Sequence, residues 1–68
     1  MNVKQASKQA AQASKAGGVH FVVYVFDQGR EVFNAEQCRR YAPLIHIEAA
    51  FVAGVQVADA TAALGEAA

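Results

Sequence analysis

The residues Val19 to Phe26, VHFVVYVF, are β-branched or aromatic throughout, with no glycine or proline among them. Such a run reads as a β-strand. Both of its faces are apolar: Val19, Phe21, Val23 and Val25 on one, Val22, Tyr24 and Phe26 on the other. A strand of this kind belongs at the centre of a sheet covered on two sides. The rest of the chain must supply the neighbours and the cover.

The first neighbour is a hairpin partner. Asp27-Gln28-Gly29-Arg30 is a turn, and a two-residue loop at Gln28-Gly29 sets Asp27 against Arg30, Phe26 against Glu31, Val25 against Val32 and Tyr24 against Phe33. Opposite charges then meet beside the loop and apolar groups beyond it. Asn34 is a helix N-cap, with Glu36 and Gln37 in the first turn. The helix from Ala35 to about Tyr41 stops before Pro43. Its inner face is Ala35, Cys38 and Ala42.

From Leu44 onward the pattern alternates. Ile45, Ile47, Ala49, Phe51, Ala53, Val55 and Val57 fall on one face if the segment is extended. A strand so long is expected to break or bulge near Ala53-Gly54. The competing helical pattern, in EAAFVAGVQVADATAAL, rests on alanine and on a partial stripe of Phe51, Val52 and Val55.

The expected fold is therefore α+β: a small antiparallel sheet of hairpin, helix and third strand in the order 2-1-3. Residues 19–57 form its core. An alanine-rich helix within residues 1–18 ends at Gly17-Gly18, with Val3, Ala6, Ala10, Ala13 and Gly17 on one narrow face. Residues 58–68 form an alanine-rich acidic tail, with a short helix capped by Asp59. One small domain accounts for all 68 residues.

Size then becomes the difficulty. Hydrophobic residues make up 54% of the chain, yet much of that is alanine, and there are only four Phe, two Tyr and no Trp. The bulky side chains lie between Val19 and Val57, a core of only ~40 residues, a length at which a disulfide, a metal or oligomerisation is usually needed. A single cysteine, Cys38, makes no internal disulfide. The start of the chain, MNVKQASKQAAQASK, has no apolar signal segment. The uncharged apolar stretch from Ala49 to Ala58 is too short to span a bilayer. A cytoplasmic protein stabilised by self-association is expected, in the commonest closed form, a homodimer.

Chemistry is sparse. His20, Cys38 and His46 show no metal-ligand spacing, and antiparallel pairing puts the two histidines at opposite ends of the sheet. Cys38 falls on the inner helix face, as a small core hydrophobe. The carboxylates form no acid–base pair, and the glycines form no phosphate cradle. No catalytic residue, metal site or cofactor is expected.

Charge sums to zero but is unevenly spread. Lys4, Lys8 and Lys15 sit at the start without acids; Glu48, Asp59 and Glu66 lie at the end without bases. Two interaction surfaces follow. Val22, Tyr24, Phe26, Phe33 and Phe51 are candidates for self-association on the open sheet face, which either the first helix or a second copy must cover. Lys4, Lys8, Lys15, Glu36, Arg39 and Arg40 are candidates for contact with a different protein.

A nucleic-acid alternative rests on Arg39-Arg40-Tyr41, the lysines, and sheet aromatics able to stack on bases. Zero net charge is a poor footprint for it. A structural subunit of a larger assembly is a third possibility. In type, being short, neutral and without catalytic motifs, the chain resembles accessory proteins of phages and other mobile elements. That resemblance implies binding to, and inhibition of, a larger host protein.

Overall fold

A computed structural model describes residues 1–66; the last two residues of the expected tail lie outside them. The chain runs α1 (Val3–Lys15), β1 (Val19–Val25), β2 (Gly29–Asn34), α2 (Ala35–Arg40), a short 3-10 turn at Ala42–Leu44, β3 (Ile45–Val52), β4 (Val55–Gln56) and α3 (Ala60–Glu66). The fold is α+β, with a four-stranded antiparallel sheet in the order β2-β1-β3-β4. The doubly apolar strand is central, as its sequence requires. The added β4 makes the second half of the chain a hairpin followed by a helix, like the first.

One local device starts both α1 and α2. Asn2 accepts from the Gln5 N–H (2.8 Å) while Gln5 Oε1 accepts from the Asn2 N–H (3.1 Å). Asn34 and Gln37 repeat this reciprocal capping box at the head of α2, at 2.8 and 2.9 Å. Each box satisfies donors that a helix start leaves without partners. Asp59 accepts from the Ala62 N–H at 3.1 Å at the start of α3.

The sheet separates two apolar layers. On one side α1 sets Ala6 and Ala10 against Val22 and Phe51, all buried. On the other, α2 and α3 bring Cys38, Ala63 and Leu64 onto Phe21, Val23 and Ala50. The sheet face that needed cover is thus covered in part by the chain's own first helix. The buried stripe of that helix is Ala6, Ala10 and Ser14; Val3, expected on it, is 49% exposed. Small side chains let the helix lie close to the sheet, where Phe51 supplies the bulk.

Two registers differ from those expected. In the β1–β2 hairpin Tyr24 lies opposite Arg30, Val22 opposite Val32 and Phe21 opposite Phe33. The expected pairing of Tyr24 with Phe33 is displaced by three residues. A two-residue loop would force Gln28 to positive φ. The chain instead uses a longer loop, closed by the Gln28 N–H donating to Val25 O at 3.0 Å. Positive φ then falls on Asp27 (70°) and Gly29 (92°), residue types that tolerate it.

In β3, Ile47 pairs with Val23 but Ala49 pairs with Val22, leaving Glu48 as a bulge. The bulge inverts the alternation. Ile45 and Ile47 face α2 and α3, whereas Ala49 and Phe51 face α1. The single face expected from Ile45 to Val57 is therefore two half-faces. At Ala53-Gly54 the expected break is a two-residue turn into β4, with φ of 52° and 83°.

Candidate interaction surface

Helix α1 does not reach the whole of its sheet face. Beyond it, toward the β1–β2 turn, lie Tyr24 (37% exposed), Phe26 (56%) and Leu44 (55%). The register explains their grouping. Tyr24 pairs with His46, and the Phe26 N–H donates to Leu44 O at 3.1 Å, extending the ladder by one pair. The rings of Tyr24 and Phe26 meet edge to face, 6.3 Å between centroids.

A polar frame holds this patch. The Arg30 guanidinium lies 5.9 Å from the Tyr24 ring centroid. Its Nε and Nη2 donate to the two carboxylate oxygens of Glu48 at 2.8 and 3.2 Å. Glu48 is the bulged residue; the alternation that turns Ile45 and Ile47 toward α2 and α3 leaves its side chain on the same face as Arg30. Tyr24 and Arg30 are thereby fixed across three adjacent strands. An aromatic pair and a leucine, rimmed by an oriented ion pair, can dock an apolar anchor with a polar contact beside it.

The other sequence candidates are dispersed. Val22 is wholly buried and Phe51 6% exposed, both beneath α1. Phe33 is half-buried on the opposite face, its ring 5.7 Å from that of Tyr41. Of the five apolar candidates, only Tyr24 and Phe26 share an accessible surface. Among the partner-binding candidates, Arg40 donates to Glu36 at 2.6 Å and Arg39 donates to the Leu64 carbonyl at 3.1 Å. Both guanidiniums are thus engaged within the chain. Lys4, Lys8 and Lys15 are exposed on α1; the aliphatic part of Lys15 lies over Gly54. Leu44 and His46, which complete the patch, were missed by sequence reasoning, and the signal for Leu44 was its place opposite Phe26.

Cys38 is buried on the inner face of α2. Burial pushes its thiol from 9.0 up to about 11, with nearby Arg39 pulling weakly the other way. A thiol so raised is a poor nucleophile. His20 and His46 pair with opposite ends of β1 and β3, and no cluster of metal ligands is found among the described residues. At the far end of the sheet an open cleft of about 1080 Å³ includes Lys15, His20, Glu36, Arg39, Asp59 and Glu66. Its charges are of both signs and specify no ligand. His20 Nδ1 is buried there without a partner among the described residues. No helix among the described residues is long and apolar enough to cross a membrane.

Comparison with family models, with curated proteins and with solved structures gives no match.

Proposed function

We propose that this chain is a non-enzymatic, cytoplasmic protein-binding module, a self-associating accessory protein that modulates or inhibits a larger protein by docking on it. The observation that carries this reading is the patch of Tyr24, Phe26 and Leu44 beside the Arg30–Glu48 pair. Three large apolar side chains stay exposed together there, and two hydrogen bonds from Arg30 hold the Glu48 carboxylate next to them. Exposed apolar groups rimmed by polar ones mark interaction sites.

The test is capture from cell lysate on the tagged wild-type chain and on a Phe26→Ser/Leu44→Ser variant, each with and without nuclease. A nuclease-resistant protein at fixed stoichiometry, bound by the wild type and lost from the variant, is the expected result. Equal capture by both baits would overturn the assignment of the surface. Recovery of the bait alone would favour a structural, self-assembling subunit.

Nucleic-acid binding is the second proposal, favoured by exposed Tyr24 and Phe26 on a sheet beside Arg30, a placement suited to base stacking. It requires affinity that falls steeply with salt and binding weakened by replacing Arg39, Arg40 or the α1 lysines. Loss of all captured material on nuclease treatment would select it.

A further inference from the structure

We propose that the outer edge of β2 pairs antiparallel with the same edge of a second copy, about a two-fold axis at Glu31, and that the Glu31 carboxylate limits the strength of this pairing. The inference rests on the self-association proposed above and gives it a location.

The free edge follows from the hydrogen bonds. In a strand the N–H and C=O of one residue point to the same side, and successive residues alternate. Phe26 donates its N–H to Leu44, so the even-numbered residues of β1 point toward β3 and the odd-numbered ones toward β2. Val25 accepts from Gln28 across the turn, as that parity requires. Phe21, Val23 and Val25 lie opposite Phe33, Glu31 and Gly29, and these pairs exchange the hydrogen bonds of the hairpin. Arg30 and Val32 then point outward. Asn34 shares their parity, and its N–H is given to Gln37 Oε1 instead of β1. Among the described residues, the backbone groups of Arg30 and Val32 have no partner. Such an edge is a template for another strand.

The spacing selects the register. An axis at Glu31 places Arg30 opposite Val32 of the second copy, and Val32 opposite its Arg30. Each such pair exchanges both N–H···O bonds, so every free group on both edges is used. An axis at Val32 sets Arg30 against Asn34, whose N–H is committed to the capping box. An axis at Arg30 opposes two guanidiniums. The axis at Glu31 has its own cost: the two carboxylates face each other with Cβ atoms ~4.5–5.5 Å apart, and like charges directly opposite disfavour pairing. Glu31 is therefore the residue that holds the edge in check. The same axis puts both α1 layers on one side of an extended sheet. The two Tyr24–Phe26 patches then share one surface, their β1 strands separated by ~14 Å, or three strand spacings.

Sedimentation equilibrium on the full chain at neutral pH and low salt tests this. Glu31→Gln is expected to tighten self-association by up to about fivefold. An equimolar mixture of wild type and Glu31→Lys should form a heterodimer about tenfold tighter than either homodimer, because only the mixture sets opposite charges across the axis. Val32→Pro removes an outward N–H, a change that edge strands tolerate. It should abolish association in the Glu31→Gln background with an unchanged far-ultraviolet circular dichroism spectrum; if the spectrum changes, the charge swap decides. No preference for the mixed pair, or no gain with Glu31→Gln, overturns the proposal. A wild-type dimer lost in Phe26→Ser but indifferent to the charge swap would refute edge pairing and keep self-association. Monomers throughout would refute both.

Discussion

Arg30 and Glu48 meet at 2.8 Å across an intervening strand, with the Tyr24 ring beside the guanidinium. Their side chains are 31% and 25% exposed, so solvent screens them only in part. The two-pronged geometry is the better kind of ion pair, yet exposed pairs contribute ~0.2–1 kcal/mol. A double-mutant cycle on Arg30→Ala and Glu48→Ala should give a coupling of about 0.5–1 kcal/mol in denaturant unfolding, smaller in 1 M salt. Zero coupling at low salt would mean that the pair does not hold Tyr24.

Phe51 and Phe26 separate core from surface. Phe51→Ala removes a ring buried against Ala6 and Ala10 and should cost roughly 3–5 kcal/mol. Phe26→Ala removes a largely exposed ring and should stay within about 0.5 kcal/mol of wild type. Chemical denaturation of both variants distinguishes the two rings. Near wild-type stability for Phe51→Ala would contradict the placement of α1 on the sheet.

The β3–β4 turn carries avoidable strain. Ala53 has φ of 52°, where a non-glycine residue pays ~1–2 kcal/mol. Ala53→Asn should stabilise by about 1 kcal/mol, because Asn-Gly suits this loop, and raise Tm by roughly 4–8 °C. Ser14→Ala should act in the opposite sense. Its buried hydroxyl accepts from the Gly54 N–H at 2.8 Å and donates to Ala11 O at 2.8 Å. Removing it strands a donor, at a cost of about 1–3 kcal/mol.

Cys38 gives a pH dependence of known sign. Its thiol is held at about 11 in the folded chain against 9.0 unperturbed. Between these values the unfolded chain has lost a proton that the folded chain keeps, so stability falls as pH rises. The slope is at most about 1.4 kcal/mol per pH unit. Comparing wild type with Cys38→Ala from pH 8 to 10.5 isolates it; parallel curves would contradict burial of the thiol. Iodoacetamide at pH 8 should label Cys38 only under unfolding conditions.

The central strand, the cap at Asn34 and the extended character of Ile45–Val52 are legible because each has a local physical signature. The hairpin register is not, since Asp27 and Gln28-Gly29 compete for the turn and only the left-handed tolerance of Asp27 decides. The bulge at Glu48 is hidden by its neighbours: with Ala49 and Ala50 both small, either phase of the alternation looks apolar. Tyr24 and Phe26 are recognisable as surface aromatics in waiting, but their exposure depends on where α1 ends its contact with the sheet. That distinction separates them from Val22 and Phe51, which have the same sequence character and lie inside.

The most direct test of the docking surface is amide hydrogen exchange of the chain alone and with the protein it captures. Slowed exchange confined to Tyr24–Arg30 and Tyr41–His46 is the predicted result. Slowing along the lysines of α1 or around His20, with the Phe26–Leu44 region unchanged, would contradict it.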